Sequence, residues 1–305
     1  MFRVFAITMV CAFLTTAAGA VDLAYKQFAP GVKLLQETKE TGEFLIIADL
    51  PGAEQLRGTI KGNGKAEITL TDLADDHGVV KVSGSHEATY EAEGLPIPPI
   101  GDDIGPATLH VTQEGNVTVV DLPRFQADGM SVMQFGWWGY ITKQLNLVDG
   151  LPLGPVKENE LWENTTTIKS PVGGELTVTT KSQVIGTSWD NGKCAWIHSK
   201  TSVPLKLKFK TEESTSTVLG SLDMFAVTCF NLDKGFPTGK QVYHLANLSL
   251  TSKASEDGYG EDYSIRVVAA LRNEITTRLA QEEKKEAQKQ AGGKPTRLEP
   301  LASSK

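Results

Sequence analysis

Five histidines, His77, His86, His110, His198 and His244, are the side chains best suited to proton transfer or metal binding. None stands four residues from another, as a helical metal pair requires, and no His-Glu-x-x-His or Cys-x-x-Cys run occurs. His86 and His110 could meet across paired strands with Asp102 or Asp103 as a third ligand. Histidines scattered over strands are ordinarily cross-strand or surface residues, so the expectation is no metal and no cofactor. The acid pairs Asp75-Asp76 and Asp102-Asp103 sit between glycines, where adjacent carboxylates serve turns. A glycosidase needs two carboxyls in unlike environments. Gly186-Thr187-Ser188-Trp189-Asp190 mimics a nucleophile elbow but lies in a hairpin, without the helix that must follow one. No glycine-rich phosphate loop opens a helix. The reading is a chain with no catalytic residue, and a hydrolase built from residues distant in sequence stays open as a rival.

Aromatic chemistry is concentrated instead. Phe135, Trp137, Trp138 and Tyr140 crowd two turns of one segment. Within residues 129–147, Val132, Phe135, Trp138, Ile141 and Leu145 recur at spacings of three and four, one face of a helix. Two outcomes follow. In the plainer one this helix plugs a concave sheet and is core; in the other, Phe135, Trp137, Trp138 and Ile141 line an apolar ligand pocket between sheet and helix. Leu151-Pro152-Leu153-Gly154-Pro155 stops the helix and forms a linker.

The elements around it read as strands. Short β-branched runs at 66–73, 79–85, 107–112 and 117–122 precede the helix, and seven more follow between 163 and 271, separated by Gly, Asp and Asn. Asp75-Asp76-His77-Gly78 is echoed by Trp189-Asp190-Asn191-Gly192, and Glu114-Gly115 by Lys234-Gly235, at nearly equal offsets. That suggests a duplicated half of roughly 110–120 residues, although such turns recur by chance in any β protein. The predicted fold is mainly β: two similar antiparallel halves forming a curved sheet, a sandwich or an open barrel, with one central helix. The expected boundaries are a signal peptide at 1–20, a first β half at 21–128, helix and linker at 129–155, a second β half at 156–274, and a charged, partly helical and disordered tail at 275–305.

Arg3, the apolar run Val4 to Leu14 and Ala18-Gly19-Ala20 make up a secretory signal with cleavage after Ala20, so the expected location is periplasmic or extracellular. Cys11 falls inside the apolar run, which leaves Cys194 and Cys229 in the mature chain, either bridged or as separate buried thiols. A net charge of −7 argues against a nucleic-acid partner. Three Asn-x-Ser/Thr sequons, at Asn116, Asn164 and Asn247, are frequent by chance in a Thr-rich β protein.

The Pro-rich linker, Val156 and the Glu160-Leu161-Trp162 run together resemble a group of exported bacterial β-rich proteins of unknown function. In that group the stretch reads Pro-Val, Gly-Asp, then Trp; here Glu158-Asn159-Glu160 stands where Gly-Asp is usual. In shape such proteins are similar to the lipoprotein-carrier fold, an open curved sheet with a helix in its mouth. The resemblance implies carriage of a lipid-like ligand and transfers no binding residue. Phe44 to Gly52 (FLIIADLPG) and Leu122-Pro123-Arg124 also resemble the brackets of a small heat-shock domain. The functional expectation is an exported, non-enzymatic protein binding a hydrophobic small molecule or lipid. Its rival outside enzymology is an interaction module of the envelope or secreted matrix.

Overall fold

The computed structural model describes residues 20–23, 30–48, 55–74, 77–92, 95–96, 100–112, 115–122, 136–146, 150–152, 154–188, 193–210, 214–254 and 262–281. The strands are β1 (Lys33–Ala48), β2 (Leu56–Leu73), β3 (His77–Ala92), β4 (Leu95–Pro96), β5 (Ile100–Thr112) and β6 (Val117–Asp121). After helix α1 (Gly136–Asn146) come β7 (Leu161–Lys169), β8 (Glu175–Ser188), β9 (Cys194–Lys210), β10 (Ser214–Asn231), β11 (Phe236–Ala254) and β12 (Tyr263–Leu279). All belong to one sheet. β1 pairs with β12 on one side and β2 on the other, and β2 pairs on to β3. The sheet therefore closes into a barrel of eleven staves, with β4 and β5 lying in tandem along β3. Closure removes the free edges that an open curved sheet would leave.

The wall has a strict inside and outside, because side chains alternate along a strand. In β11, Val242, Ala246, Leu248 and Leu250 point inward while Gln241, Asn247, Ser249 and Lys253 are exposed. In β9, Val203, Leu205, Leu207 and Phe209 face in, and Lys206, Lys208 and Lys210 face out. The lumen is thus the hydrophobic core. α1 lies within it: Trp137, Trp138 and Ile141 pack into the same cluster as Ile168, Leu207, Leu248 and Val267. A smaller cluster joins Leu23, Leu151, Val156, Ile197 and Phe230, so the expected linker is partly core. Val21 pairs with Val156 there through two backbone hydrogen bonds, at 2.7 and 3.0 Å.

An odd number of staves forces one parallel contact, and it falls between β6 and β7, where α1 makes the crossover. That seam is only two residue pairs long, Val117–Thr166 and Thr118–Thr167. Side-chain amides extend it at both ends. Asn116 Oδ1 accepts from the Thr165 backbone N–H at 2.8 Å and from its hydroxyl at 3.1 Å. Gln144, fully buried on α1, accepts from the Lys169 N–H at 2.7 Å and donates to the Lys169 carbonyl at 3.0 Å. Two amide side chains thereby stand in for the missing length of β6.

Several expectations are refined. The helix spans Gly136–Asn146 within the anticipated 129–147, and residues 123–135, including Phe135, lie outside the described residues. β12 runs to Leu279 because Ile275 and Thr277 keep the inward alternation beyond the anticipated end of the strands at 274. The signal segment and the tail beyond 281 lie outside the described residues, as do the turn residues 75–76 and 189–192. The echoed turns do join β2 to β3 and β8 to β9, and β5 to β6 and β10 to β11. The strands they join differ: β6 has 5 residues and β11 has 19. Asn159 has a φ of 63°, the left-handed conformation a glycine adopts most readily, and the Glu160 carboxylate accepts from the Lys157 N–H at 2.9 Å. Asn159-Glu160 thus performs locally what a Gly-Asp pair would.

Candidate functional site

The lumen is mostly apolar, and around the last turn of α1 wall and helix bring titratable groups together. Glu40 of β1 and His86 of β3 both point inward, with β2 between them. They reach each other because β2 carries Gly62 and Gly64 at that level, opposite Glu40 and His86 respectively. A Cβ at either glycine would press on the His86 ring. His86 Nε2 accordingly lies 3.9 Å from Glu40 Oε2, each side chain less than 15 % exposed (14 % and 12 %).

Asn273 of β12, directly opposite Glu40 in register, continues the chain of contacts. Its amide nitrogen faces the carboxylate and donates to Glu40 Oε2 at 3.1 Å and to the Arg272 carbonyl at 3.3 Å. Its oxygen accepts from His244 Nε2 at 3.3 Å; the opposite amide orientation would set carbonyl oxygen against carboxylate. Asn146, at the end of α1, lies 3.5 Å from the same His244 nitrogen. His86, Glu40, Asn273, His244 and Asn146 thus form one polar row across β3, β1, β12, β11 and the helix.

Burial governs the charges in this row. It raises the Glu40 pKa above the ordinary carboxylate value, and Lys143 on α1 and the Asn273 hydrogen bond oppose that rise. His244 is fully buried, and its pKa falls to about 3, first from burial and then from the ammonium of Lys240 two positions along the inner face. His244 is therefore neutral at physiological pH. Its Nδ1, Asn146 Oδ1 and Trp138 Nε1 are buried without a hydrogen-bond partner among the described residues.

Beside this row, between α1 and the inner faces of β7 to β11, lies a cavity of about 40 Å3. Leu145, Thr166, Thr180, Ser182, Thr228 and Lys240 are among its lining residues. Hydroxyl pairs cross its wall, Thr180 to Thr201 at 2.6 Å and Ser182 to Ser199 at 2.8 Å. A water needs ~10–15 Å3 of such space, so about three waters fit, whereas ligand pockets for drug-sized molecules run to ~300–1,000 Å3.

Of the sequence-predicted ligand residues, Trp137 and Trp138 are buried at 1 % and 6 % exposure and Ile141 at 0 %, none of them lining this cavity. They pack as core. Cys194 and Cys229 are bridged, on neighbouring strands with Cα atoms 5.6 Å apart. His86 points into the lumen, whereas His110 points outward and stacks on His77 with ring centroids 4.1 Å apart, so the two proposed metal ligands stand on opposite faces of the wall. The side chains of Asp102 and Asp103 lie outside the described residues. Ser188 Oγ accepts from Trp196 Nε1 at 3.0 Å at the end of β8, in a strand and not an elbow. Asn164 is buried and donates to the Leu151 carbonyl, a position where no glycan fits.

No protein-family model and no curated protein matches the sequence. Among solved structures, the chain is similar to Salmonella typhi OmpF in complex with daunomycin: 10 % identity, 81 % of this chain and 98 % of that chain covered, TM-score 0.23. It is similar to Pseudomonas aeruginosa OccK7 (OpdD) at 8 % identity, over 82 % and 100 % of the two chains, TM-score 0.23. Among the described residues no helix is long and apolar enough to cross a membrane.

Proposed function

We propose that this chain is an exported, non-catalytic binding protein, a water-facing barrel whose ligand-holding volume is the lumen around α1. The observation that carries this reading is the polarity of the wall. A transmembrane barrel turns an apolar band to lipid and encloses polar space, and each Lys at the bilayer midplane costs ~2–4 kcal/mol. Here the outward rows hold Lys200, Lys206, Lys208 and Lys210 on β9 and Arg57, Lys61 and Lys65 on β2, with Trp196, Leu219, Tyr243, Leu245 and Val268 scattered among polar neighbours, while the lumen holds most of the apolar residues. Water outside and apolar space inside suit a carrier of an apolar or lipid-like molecule.

Trp137, Trp138 and Ile141 fill that space in the plugged form, so the ligand takes the place of α1 or shares it. The seat of the plug favours such exchange. Among the described residues, three of its buried polar atoms lack partners, each costing ~1–3 kcal/mol, and a cavity with room for water lies alongside. Val21, the first residue after the expected cleavage point, pairs with Val156, in keeping with a mature chain that begins there. The test is native mass spectrometry with lipid extraction on the protein from Val21 onward, purified from its own compartment. A co-purifying lipid-like species, retained less well by Trp138→Ala, is the expected result. A bare chain mass that added fatty acid or phospholipid leaves unchanged would end the carrier reading.

A further inference from the structure

We propose that the outer face of β9, with the flanking end of β11, is a docking surface for an extended acidic polysaccharide. Lys206, Lys208 and Lys210 stand at alternate positions of β9, all exposed and all outward, about 7 Å apart along the strand. In register beside them on β10 are Leu219, Thr217 and Thr215, and beyond these on β11 are Ser249, Thr251 and Lys253. This field holds four lysines, hydroxyls and one exposed leucine, and among the described residues the carboxylate nearest it in register is Asp262, bonded to the Ala254 N–H at the Lys253 end. Among the described residues, none of the four lysines makes an ion pair.

Several other cations of the same wall meet carboxylates. Lys33 meets Glu67 at 2.6 Å, Lys169 meets Glu175 at 2.7 Å, Lys181 meets Glu163 at 2.9 Å, and Arg278 meets Glu37 at 3.1 Å. Lys61 and Lys65 also lie beside carboxylates. In a chain of net charge −7, three consecutive outward lysines on one strand are a local segregation of positive charge. Glu212 and Glu213 follow Lys210 in the sequence and lie outside the described residues.

The chemistry of the field selects the partner. A straight row of ammonium groups with hydroxyls beside it matches a linear polymer that presents repeated carboxylates and hydroxyls. Single-stranded nucleic acid would want aromatic rings for base stacking, and the field has none. A bilayer surface would want several apolar anchors among the charges, and within the lysine field Leu219 is the one exposed apolar side chain, with Leu245 and Val268 farther along the wall. This surface is on the outside of the barrel, independent of whatever the lumen holds.

The experiment is capture of the protein on immobilised polygalacturonate, with neutral dextran as control and phosphatidylserine-containing vesicles alongside, between about 50 and about 200 mM salt. Wild type should bind polygalacturonate, not dextran, and weaken steeply with salt. Lys206→Gln/Lys208→Gln/Lys210→Gln should lose about tenfold or more in affinity. Lys61→Gln/Lys65→Gln/Lys181→Gln, the same charge change at paired lysines, should stay within about twofold. Equal losses in both triples, no binding to polygalacturonate at low salt, or binding to vesicles in preference to the polymer that depends on Lys206, Lys208 and Lys210 would each overturn the assignment.

Discussion

His244 shows how one buried residue contributes to the response of the wall to acid. Its ring is neutral in the folded chain, with a pKa of about 3 against 6.5 in the unfolded one. The unfolded chain therefore binds the extra proton between those values, and the stability His244 contributes is complete above pH 6.5 and is lost as pH falls toward 3. The loss is ~1.4 kcal/mol per pH unit, or roughly 2 kcal/mol between pH 8 and pH 5. Urea midpoints across that range should fall accordingly, and His244→Gln should flatten the slope; a slope unchanged in the variant would remove His244 as its source. Glu40 acts with the opposite sign. Its raised pKa means the folded chain holds a proton more readily than the unfolded one, so its ionisation weakens the fold as pH rises above the ordinary carboxylate range. Glu40→Gln keeps an acceptor for Asn273 and removes the buried charge. The variant should be the more stable at pH 8, and its acid loss should be steeper than wild type, because the opposing contribution is gone. A gentler acid loss in Glu40→Gln would contradict the burial of that carboxylate.

At the scale of the element, α1 is held by shape and by one bidentate amide. Gln144 pairs with both the N–H and the C=O of Lys169, the two groups that a longer β6 would otherwise satisfy. Gln144→Ala leaves both without a partner at the edge of the core, a cost of ~2–4 kcal/mol. The urea midpoint should drop by that amount while Tyr140→Phe, which keeps the backbone carbonyl that Gln144 also contacts, changes little; equal effects would mean the amide anchor is incidental. The helix itself was legible in the sequence, since Trp138, Ile141 and Leu145 follow its period, and so was the β class. Closure was not. β1 is rich in Thr, Glu and Lys, and its inward set of Leu34, Thr38, Glu40, Gly42 and Phe44 lacks the apolar alternation that marks a strand. Without β1 the sheet has no stave to join β12 to β2. The polar row was half legible. His244 lies on the apolar face of an evident strand, between Val242 and Ala246, and Asn273 follows Val267, Ala269 and Leu271 in the same way. A polar residue on an otherwise apolar face is the signal. The Glu40–His86 contact gave none, because only the glycines of the intervening β2 bring those two side chains together.

For the whole molecule, the barrel's closure is uneven, and the unevenness predicts where it opens. Most neighbouring staves share long antiparallel ladders: β10 and β11 run together from Ser214–Ala254 to Asn231–Phe236. β6 and β7 share two parallel pairs, and parallel pairing is slightly the weaker per residue. Asn116 and Gln144 satisfy the flanking backbone groups, but a side-chain amide on a loop or helix orders less of the wall than a strand does. The lumen, with α1 and the cavity in it, lies directly behind this seam. Native-state hydrogen exchange should therefore find the amides of Val117 to Val119 and Thr165 to Thr167 opening locally, at a free energy roughly 2 kcal/mol or more below that of the β10–β11 amides. Asn116→Ala should widen the gap by removing the bonds to Thr165, while leaving exchange in β10 and β11 unchanged. A pair of cysteines at Val117 and Thr166, which face each other in register, should close the gap when oxidised and restore it when reduced. If the seam amides exchange only with global unfolding, in wild type and in Asn116→Ala alike, then β6–β7 is as firm as the rest of the wall. A ligand for the lumen would then have to enter through an end of the barrel.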